Sequence, residues 1–402
     1  MTDVALVHLD LMAKGGGEAV AVNVAEALQD EHDLTLFTLT DPDVDELREY
    51  FDVDLRESAL TVRTAGRLAP ALYERYGPRY YVLENALLSR YVRRRTDEFD
   101  VVISTINELG LGPDAIQYVH FPFDWFGSLD DLGDTFHPTV EGQSLSERAC
   151  TAVAGVSRDE LVSNRLFANS EWTAGKVAEA YGTRPEVVYP PIDTEAFTDR
   201  PWDARENGFV TVGRIEPSKR TVELIETVDA VRERGHDVHL HVVGPPVDDA
   251  YARRVAALAA GRPHVHLEGE VPRGELIELI CSHRYGIHGK AFEHFGMAVA
   301  ELAAGGTVPF VPSSGGQRAI VRDRHELLFD SPEAAVAKID RVLSDPTLQR
   351  ELRTSTAEID RRFGRGRFQE TVTDAVDAAV DGNPGGSTRS VRSTSTSSPT
   401  DD

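Results

Sequence analysis

The sequence predicts an α/β protein built from two parallel sheets that face each other across a cleft. Short apolar runs alternate with amphipathic stretches of helical spacing in the first half of the chain, and the same pattern restarts in the second half. Alternating strands and helices are typical of parallel sheets covered on both faces. Two consecutive prolines, Pro190 and Pro191, lie between the halves and indicate a linker, because X-Pro favours extended backbone.

The first half opens with the run VALVHLDL, which predicts a strand, and the loop MAKGGGEA follows it. Apolar residues then recur at helical spacing in AVAVNVAEALQD. The runs DLTLFTL, DVVISTI and AIQYVHFPF predict further strands of the same sheet. We therefore expect a first domain over residues 1–190.

The second half begins with a strand in GFVTVG and a helix in TVELIETVDAVRERG. Further strands are predicted in DVHLHVVGPP, HVHLEGEV, the start of YGIHGKAFEHFG, and TVPFVP, with helices between them. We expect a second domain over residues 191–360, followed by a helix over 361–382 that crosses back to the first domain. Residues 383–402 are rich in Ser, Thr and Gly and are predicted to be disordered.

The charge of the chain is strongly acidic. Its 402 residues include 42 Lys and Arg against 67 Asp and Glu, a formal net charge of −25. Such a surface repels nucleic acid, so no nucleic-acid partner is expected. The acidic surface, with arginine in place of lysine, resembles that of proteins from salt-loving organisms, where salt screens the self-repulsion. Of only five lysines, Lys14, Lys219 and Lys290 lie in or beside glycine-rich loops.

Cysteine usage and apolar run lengths point to the cytoplasm. The two cysteines, Cys150 and Cys281, are far apart, which fits a reducing compartment, and no Cys/His spacing predicts a zinc site. No run approaches the roughly 18 to 20 apolar residues of a membrane span. Acidic Asp3 stands where a signal peptide would carry positive charge.

The loop KGGGEA predicts an anion site. Gly16 and Gly17, between a strand and a helix, would let backbone N–H groups approach an anion at the helix N-terminus. A tight structural turn is the alternative interpretation. The loop does not match G-x-G-x-x-G with a ribose-binding acid about 20 residues further on, so dinucleotide binding is not predicted.

A second loop, GRIEPSKR, carries two cations. Arg214 and Lys219 flank a proline-containing turn after a strand, and at this spacing both can converge on one diphosphate. Two solvated surface cations are the alternative.

The stretch AFEHFGMAVAELAAGG places Glu293 eight positions before Glu301. If a helix begins at His-Phe-Gly, eight residues separate the carboxylates by about 12 Å along its axis, too far to share a metal or a proton. They can instead contact two ends of an extended ligand, with free backbone N–H groups near Gly296 between them. Two polar helix-surface glutamates are the alternative.

His120 lies in YVHFPFDWF, at the end of an apolar strand. A histidine at the carboxyl end of a strand facing the cleft is a candidate polar contact or proton carrier. A structural histidine that caps the strand is the alternative.

The stretch RYYVLENALLSRYVRRR, Arg79 to Arg95, is basic and amphipathic in an otherwise acidic chain. It predicts a peripheral contact with the anionic inner face of the cell membrane. An ordinary exposed helix is the alternative.

Taken together, GRIEPSKR, YPPID, ANSEWTA and the E-x7-E spacing resemble the retaining GT-B glycosyltransferases of family 4 (group 1). The segments GGGEA, VHFP and GIHGKAFEHFGMAVAELAAGG are similar, more narrowly, to the GDP-mannose-dependent dolichol-oligosaccharide alpha-1,2-mannosyltransferases. The likeness covers most of residues 1–380. It implies the GT-B fold, two Rossmann-like domains, and retaining transfer of a hexose, best assigned as mannose from GDP-mannose, to a glycan or lipid-linked glycan.

The resemblance also implies roles for residues of the second domain. Arg214 and Lys219 would hold the donor diphosphate. Glu301 would bind the ribose hydroxyls, and Glu293, as a catalytic residue, would contact the donor sugar.

The remaining roles concern the helix start and the first domain. Backbone N–H groups of Phe295 and Gly296 would lie near the sugar hydroxyls or the phosphate. His120 would face the reacting sugar, and Gly16 and Gly17 would approach the phosphates from the first domain. No metal or other cofactor is implied.

Three other functions fit parts of the same pattern. A UDP-sugar-dependent glycosyltransferase would keep the fold and the mechanism. A nucleotide-sugar epimerase would form its product without an acceptor, and a non-catalytic module would only bind the donor.

Overall fold

Two parallel sheets, each covered by helices, form the protein in a computed structural model. The structure describes residues 2–65, 71, 73, 75, 81–126, 128, 129 and 145–382.

The first sheet has seven strands within the described residues, in the order β3-β2-β1-β4-β5-β6-β7, and all its pairings are parallel. Its strands are β1 (Thr2–Val7), β2 (His32–Thr38), β3 (Leu60–Thr64), β4 (Val101–Ser104), β5 (Ile116–Val119), β6 (Arg165–Ala168) and β7 (Glu186–Val187). The central strands β4 and β5 are buried at every position, as their unbroken apolar runs predict for a sheet covered on both faces.

The helices of this half are α1 (Gly16–Leu28), α2 (Val44–Phe51), α3 (Tyr81–Arg93), α4 (Leu145–Ala154), α5 (Arg158–Ser163) and α6 (Glu171–Tyr181). Side-chain caps mark several starts: Asp43 accepts from the backbone of Glu46, and Ser170 from that of Thr173.

The second sheet has six strands in the described part of the chain, in the order β10-β9-β8-β11-β12-β13, again parallel throughout. Its strands are β8 (Glu206–Val212), β9 (His239–Val243), β10 (Val265–Gly269), β11 (His283–Ile287), β12 (Val308–Pro312) and β13 (Leu328–Phe329). The helices of this half are α7 (Thr221–Glu233), α8 (Asp249–Ala259), α9 (Arg273–Ser282), α10 (Met297–Ala304), α11 (Gln317–Ile320), α12 (Pro332–Ser344), α13 (Pro346–Leu352), α14 (Thr356–Phe363) and α15 (Arg365–Val380).

The prediction of two parallel α/β sheets is confirmed. In each sheet the strand order reverses next to the first strand, between β1 and β4 (the first switch point) and between β8 and β11 (the second switch point). Loops at the carboxyl ends of such strand pairs diverge and leave a crevice, the usual ligand site of doubly wound sheets. The four loops that follow these strands therefore locate the site.

The chain crosses between the two halves at two neighbouring places. The first sheet ends at Val187 and the second begins at Glu206. Between them Ile192 exchanges backbone hydrogen bonds with Phe363 and Arg365, which places the linker against the start of the last helix. Phe368 and Val376 of that helix, α15, lie in the core of the first half. The last helix therefore packs on the domain in which the chain begins.

The basic stretch Arg79–Arg95 forms α3 over Tyr81–Arg93, and its first two residues lie outside the described residues. One face of α3 is buried, including Leu88 and Val92, so the helix packs into the first core. Membrane contact by this stretch stays a prediction. Across the described residues, helices that are both long and apolar enough to cross a membrane are absent. The tail predicted to be disordered, 383–402, also lies outside the described residues.

Candidate active site

A cleft of about 780 Å³ separates the carboxyl ends of the two sheets. Residues from both halves line it, among them Gly16 and Tyr50 from the first and Gly213, Arg273 and Glu301 from the second. This is the volume and the location expected for a small-molecule site between two domains.

Two helix N-termini meet across this cleft. Helix α1 begins at Gly16 and α10 at Met297, and a Cβ added at Gly16 would lie 2.8 Å from the Met297 sulfur. Each helix is preceded by a glycine, Gly15 or Gly296, so neither N-terminus is capped by a side chain of that residue. Helix N-termini carry partial positive charge and unpaired N–H groups, which together favour an anion.

Gly296 is conformationally required at this position. Its φ is 103°, in the left-handed region, and an added Cβ would lie 3.2 Å from the Cβ of Gln317. The glycine therefore lets the chain turn abruptly into α10.

This turn corrects one expectation from the sequence. Helix α10 starts at Met297, so only Glu301 lies on it, and Glu293 lies in the preceding loop. The backbone departs from helix twice before α10, with positive φ at Phe292 and at Gly296. The separation of the two carboxylates is therefore not that of eight residues on one helix.

Glu293 lies at the centre of a cationic cluster. Its carboxylate accepts from Lys219 Nζ at 2.9 Å and from His288 Nε2 at 3.1 Å, and Lys290 Nζ lies 3.6 Å away. Its carbonyl accepts from the backbone N–H of Gly316 at 2.7 Å, which fixes the loop against the next strand-to-helix turn. The residues of this cluster follow β8 and β11, the two strands of the second switch point.

The electrostatics of the cluster are unbalanced. Burial alone would raise the pKa of Glu293, but Lys219, His288 and Lys290 outweigh it and hold that pKa well below its usual range. Burial lowers the pKa of His288, which favours the neutral ring. Two ammonium groups then face a single carboxylate, and the surplus positive charge lies close to the start of α10.

Glu301 is held by a residue that the motifs did not single out. Its Oε1 accepts from Arg273 Nη1 at 2.5 Å, and the Arg273 guanidinium lies 5.7 Å from the centre of the Phe197 ring. Burial would lower the pKa of Arg273, but the charge of Glu301 outweighs it. Glu301 lines the cleft, where a diol can donate to its carboxylate.

Arg214 and Lys219 do not adopt the same environment. The Lys219 side chain is only 19% exposed against Glu293, whereas that of Arg214 is 64% exposed, with Glu216 at 3.9 Å. The shared diphosphate contact predicted for them stays a prediction.

Phe295 contributes to packing rather than presenting its ring to the cleft. It is 2% exposed and its ring contacts those of Tyr189 and Phe363 at 5.7 and 5.3 Å. The contact that the resemblance implies for the backbone N–H of Phe295 stays a prediction.

His120 lies beside the glycine loop, and the contact with the reacting sugar expected for it stays a prediction. A Cβ added at Gly17 would lie 3.5 Å from His120 Nε2. That nitrogen lies 3.0 Å from the carbonyl oxygen of Thr105, which can only accept, so Nε2 carries the proton. Burial lowers the pKa of His120 to about 4, so the ring is neutral at physiological pH.

A second, unpredicted cluster adjoins His120 at the first switch point. His8, directly after β1, lies 2.9 Å from the Thr105 hydroxyl and 3.3 Å from Glu18 Oε1. Glu18 also accepts from the backbone N–H of Gly15 at 2.7 Å. Burial alone would raise the pKa of Glu18, but the hydrogen bond and charge of His8 hold it below its usual range.

Aromatic rings join the two halves next to Glu293. His294 stacks on Phe121 at 4.8 Å and on Trp172 at 5.9 Å, and Trp172 stacks on Phe292 at 6.5 Å. The Ser170 hydroxyl donates to the carbonyl of His294 at 2.5 Å. The loop that carries Glu293 is therefore coupled to the first half of the chain.

Two family descriptions match the chain. The family model described as Glycosyltransferase Family 4 matches residues 14–196, and the one described as Glycosyl transferases group 1 matches residues 193–359.

Curated relatives are similar over part of their length. A GDP-Man:Man(3)GlcNAc(2)-PP-Dol alpha-1,2-mannosyltransferase of Xenopus laevis is 27% identical over 234 residues, 53% of this chain and 47% of that protein. The human protein of the same description is 24% identical over 54% of this chain and 48% of its own length. A D-inositol 3-phosphate glycosyltransferase of Streptomyces bingchenggensis is 25% identical, covering 54% of each. The chain thus spans about half the length of the curated relatives it matches.

Solved structures share the fold over nearly the whole chain. Anabaena HepE, in complex with UDP and glucose, superposes with a TM-score of 0.68 at 16% identity, covering 94% of this chain and all of that one. WaaG, described as a glycosyltransferase of lipopolysaccharide biosynthesis, gives a TM-score of 0.62 at 15% identity. With both halves matched, the chain belongs to the family 4, group 1 glycosyltransferases and has the GT-B fold that its motifs predicted.

Proposed function

We propose that this protein transfers mannose from GDP-mannose to a glycan or lipid-linked glycan, with retention of the anomeric configuration. The family supports sugar transfer, and the named activity of several relatives supports GDP-mannose as donor and a lipid-linked glycan as acceptor.

One observation carries the proposal. The cleft between the switch points is lined by the starts of two helices, α1 and α10, and the loop that leads into α10 carries Glu293 with its cationic cluster. A nucleotide sugar carries its negative charge on the diphosphate at its centre, so this arrangement suits a donor that lies across the cleft with its diphosphate between α1 and α10.

The two glutamates then contact opposite ends of the donor. Glu301, oriented by Arg273, accepts from the two ribose hydroxyls, because a carboxylate accepts a diol well. Glu293 faces the sugar from within its lysine cluster and contacts the mannose hydroxyls. The roles of Arg214, Phe295 and Gly296 are those implied by the resemblance: a diphosphate contact and two backbone donors.

The reaction itself relies on stabilisation of the leaving diphosphate. As the glycosidic bond breaks, negative charge grows on the diphosphate, where Lys219 and the helix N-termini stabilise it. The acceptor attacks the face that the diphosphate leaves, which gives retention. His120, neutral and protonated at Nε2, contributes a hydrogen-bonding group close to the reacting sugar rather than a positive charge.

We further propose that transfer requires no metal ion in the cleft, because side-chain cations and helix N-termini occupy the role of a diphosphate counterion. Transfer rates should accordingly be unchanged when Mg²⁺ is added to the enzyme. A strict Mg²⁺ requirement would contradict this part of the proposal.

A thermal-shift panel in high salt tests the donor. GDP, UDP, ADP and their sugar derivatives are compared, since a ligand that binds only the native state stabilises it by the logarithm of its concentration over Kd. A selective shift with GDP and GDP-mannose is expected. A selective shift with UDP and its sugars would indicate a UDP-sugar as donor in place of GDP-mannose. The absence of a shift with every ligand would favour a non-catalytic module.

Product analysis distinguishes retaining sugar transfer from epimerisation and from transfer with inversion. With GDP-mannose and a lipid-linked glycan, NMR of the product should show a new α-linked mannose. Conversion of the donor to another nucleotide sugar without acceptor would instead indicate an epimerase, and a β-linked product would contradict retention.

A further inference from the structure

Four histidines and a glutamate gather on one face of the second sheet. His239 begins β9, His283 begins β11 and Glu206 begins β8, while His241 and His266 follow on β9 and β10. The parallel register pairs His283 with Glu206 and His241 with His266. These positions lie towards the amino-terminal ends of the strands, at the edge of the sheet opposite to the donor cleft.

Three of these histidines place ring nitrogens close together, and Glu206 lies beside two of them. His239 Nε2 is 2.9 Å from His283 Nε2, and Glu206 Oε2 is 3.5 Å from the first and 4.0 Å from the second. One ring nitrogen from each of His239, His241 and His283 lies within 4.8 Å of the others. Ligands at zinc distances in a tetrahedral site are about 3.3 Å apart.

Outer hydrogen bonds orient two of the rings. The Nδ1 of His283 lies 2.6 Å from the carbonyl oxygen of Leu279, and that of His241 lies 2.7 Å from a Glu268 carboxylate oxygen. Both partners accept, so each Nδ1 carries the proton and each Nε2 keeps its lone pair. Histidines that bind a metal are held in this way, by a carbonyl or carboxylate on the opposite nitrogen.

The space around His239 agrees with this arrangement. A Cβ added at Gly208 would clash with His239 Nε2, so the glycine is what admits the His239 ring.

We propose that His239, His241, His283 and Glu206 bind a zinc ion that joins β8, β9 and β11. Imidazole and carboxylate ligands in tetrahedral array suit Zn²⁺ among the divalent metals. The position, away from the cleft, makes the ion a structural element of the donor-binding half rather than a participant in transfer. Binding therefore stabilises the fold, because the unfolded chain does not present these ligands together.

The test uses the full-length protein, stripped with a chelator and then titrated with Co²⁺, which replaces Zn²⁺ and absorbs in the visible region. One Co²⁺ per chain with the intense bands of four-coordinate geometry is expected, together with a higher unfolding temperature on addition of Zn²⁺. Absence of these bands and of any Zn²⁺-dependent shift would overturn the proposal and leave a hydrogen-bonded histidine cluster.

Variants locate the site. His239→Gln should weaken Co²⁺ binding by more than the roughly 10- to 100-fold that loss of an outer-shell partner costs. The matched control His264→Gln changes a histidine of the same half that is paired with Asp229 at 2.8 Å, and it should bind Co²⁺ like the wild type. Equal binding by both variants would overturn the assignment.

A second variant covers the case in which His239→Gln does not fold. Glu268→Gln removes the carboxylate that orients His241 but no proposed ligand, and it should weaken Co²⁺ binding about 10- to 100-fold. Unchanged Co²⁺ affinity and spectrum in this variant would contradict the proposal.

Discussion

The two switch points share one topology but differ in charge. In the first half, His8 lies beside Glu18 and the Thr105 hydroxyl, and His120 lies beside the carbonyl oxygen of Thr105. In the second half, Lys219 and Lys290 face the single carboxylate of Glu293. The same arrangement of strands thus places a histidine and carboxylate group in one half and a cluster of lysines around a carboxylate in the other.

This difference assigns a separate task to each half. An anionic donor is bound most favourably where surplus positive charge adds to a helix N-terminus, which is the second half. The first half offers the N-terminus of α1 and a neutral histidine, His120. Among the described residues of this half, no lysine pairs with a buried carboxylate. We infer that the second half contributes most of the diphosphate binding, while the first half adds the N-terminus of α1 and positions the acceptor.

The largest expected loss of activity follows a substitution in the cationic cluster. Glu293→Gln keeps the size of the side chain but removes the charge that pairs with Lys219 and that we propose contacts the sugar. We expect kcat/KM for donor turnover to fall by about 10²- to 10³-fold. Donor hydrolysis, which needs no acceptor, measures it. The control Glu278→Gln changes an exposed glutamate paired with Arg200 at 2.5 Å, and a loss no larger than that of this control would contradict the role of Glu293.

The next effect concerns the nucleotide end of the donor. Glu301→Ala removes the acceptor that we propose for the ribose hydroxyls, and hydrogen bonds to charged groups contribute about 1.5–3 kcal/mol. We expect nucleotide affinity to fall by roughly 10- to 100-fold, measured by calorimetry with GDP. Wild-type affinity in this variant would show that the ribose is bound elsewhere.

A smaller effect tests the close approach of the two helices. Gly16→Ala places a Cβ 2.8 Å from the Met297 sulfur, so the methionine or the helix must shift. Overpacking of this kind costs about 1–3 kcal/mol, and we expect donor affinity to fall about tenfold or more. Gly175→Ala is the matched control, since its Cβ meets nothing within 4 Å on helix α6. Equal affinities in the two variants would contradict the proposed closeness of α1 and the donor.

The smallest effect on activity is expected at His120. Because its pKa is lowered from 6.5 to about 4, the ring is neutral above that range in the native protein. His120→Gln, which keeps a side-chain donor, should therefore leave the shape of the activity profile between pH 6 and 8 unchanged. A wild-type activity change near pH 6.5 that disappears in the variant would contradict a neutral His120.

The same lowered pKa predicts how stability depends on pH. The unfolded chain binds a proton at His120 more readily than the native protein does, so this residue's contribution is present above pH 6.5 and is lost as pH falls towards 4. The free energy of unfolding should therefore drop less over that range in His120→Gln than in the wild type. Equal drops in denaturant titrations would argue against the lowered pKa.

Much of the fold and part of the site followed from the sequence. The alternating pattern predicted two parallel sheets because fully buried strands leave unbroken apolar runs, as in β4 and β5. The glycine-rich loop predicted the cleft because it follows a strand and leads into a helix. The Glu301 motif predicted it because it lies at the beginning of another helix.

What the sequence did not predict depends on distances between segments. Arg273 orients Glu301, and His8 contacts Glu18. Both residues lie outside the sequence motifs and reach their partners only in the folded chain. The helix start was placed too early because the positive φ at Phe292 cannot be read from residue type. His239 and His241, two positions apart on a strand and so on one face, were the available signal for the histidine cluster, but His283 joins it only through strand register.

The most direct test of the account is calorimetry of GDP-mannose with Lys219→Met and with a matched lysine control. Lys176→Met serves as that control, because Lys176 belongs to the first half and pairs with Glu179 at 2.7 Å. If the second switch point binds the diphosphate, Lys219→Met should lose at least about tenfold in affinity while Lys176→Met binds like the wild type. Equal affinity in all three proteins would contradict the assignment of the donor diphosphate to the cationic side of the cleft.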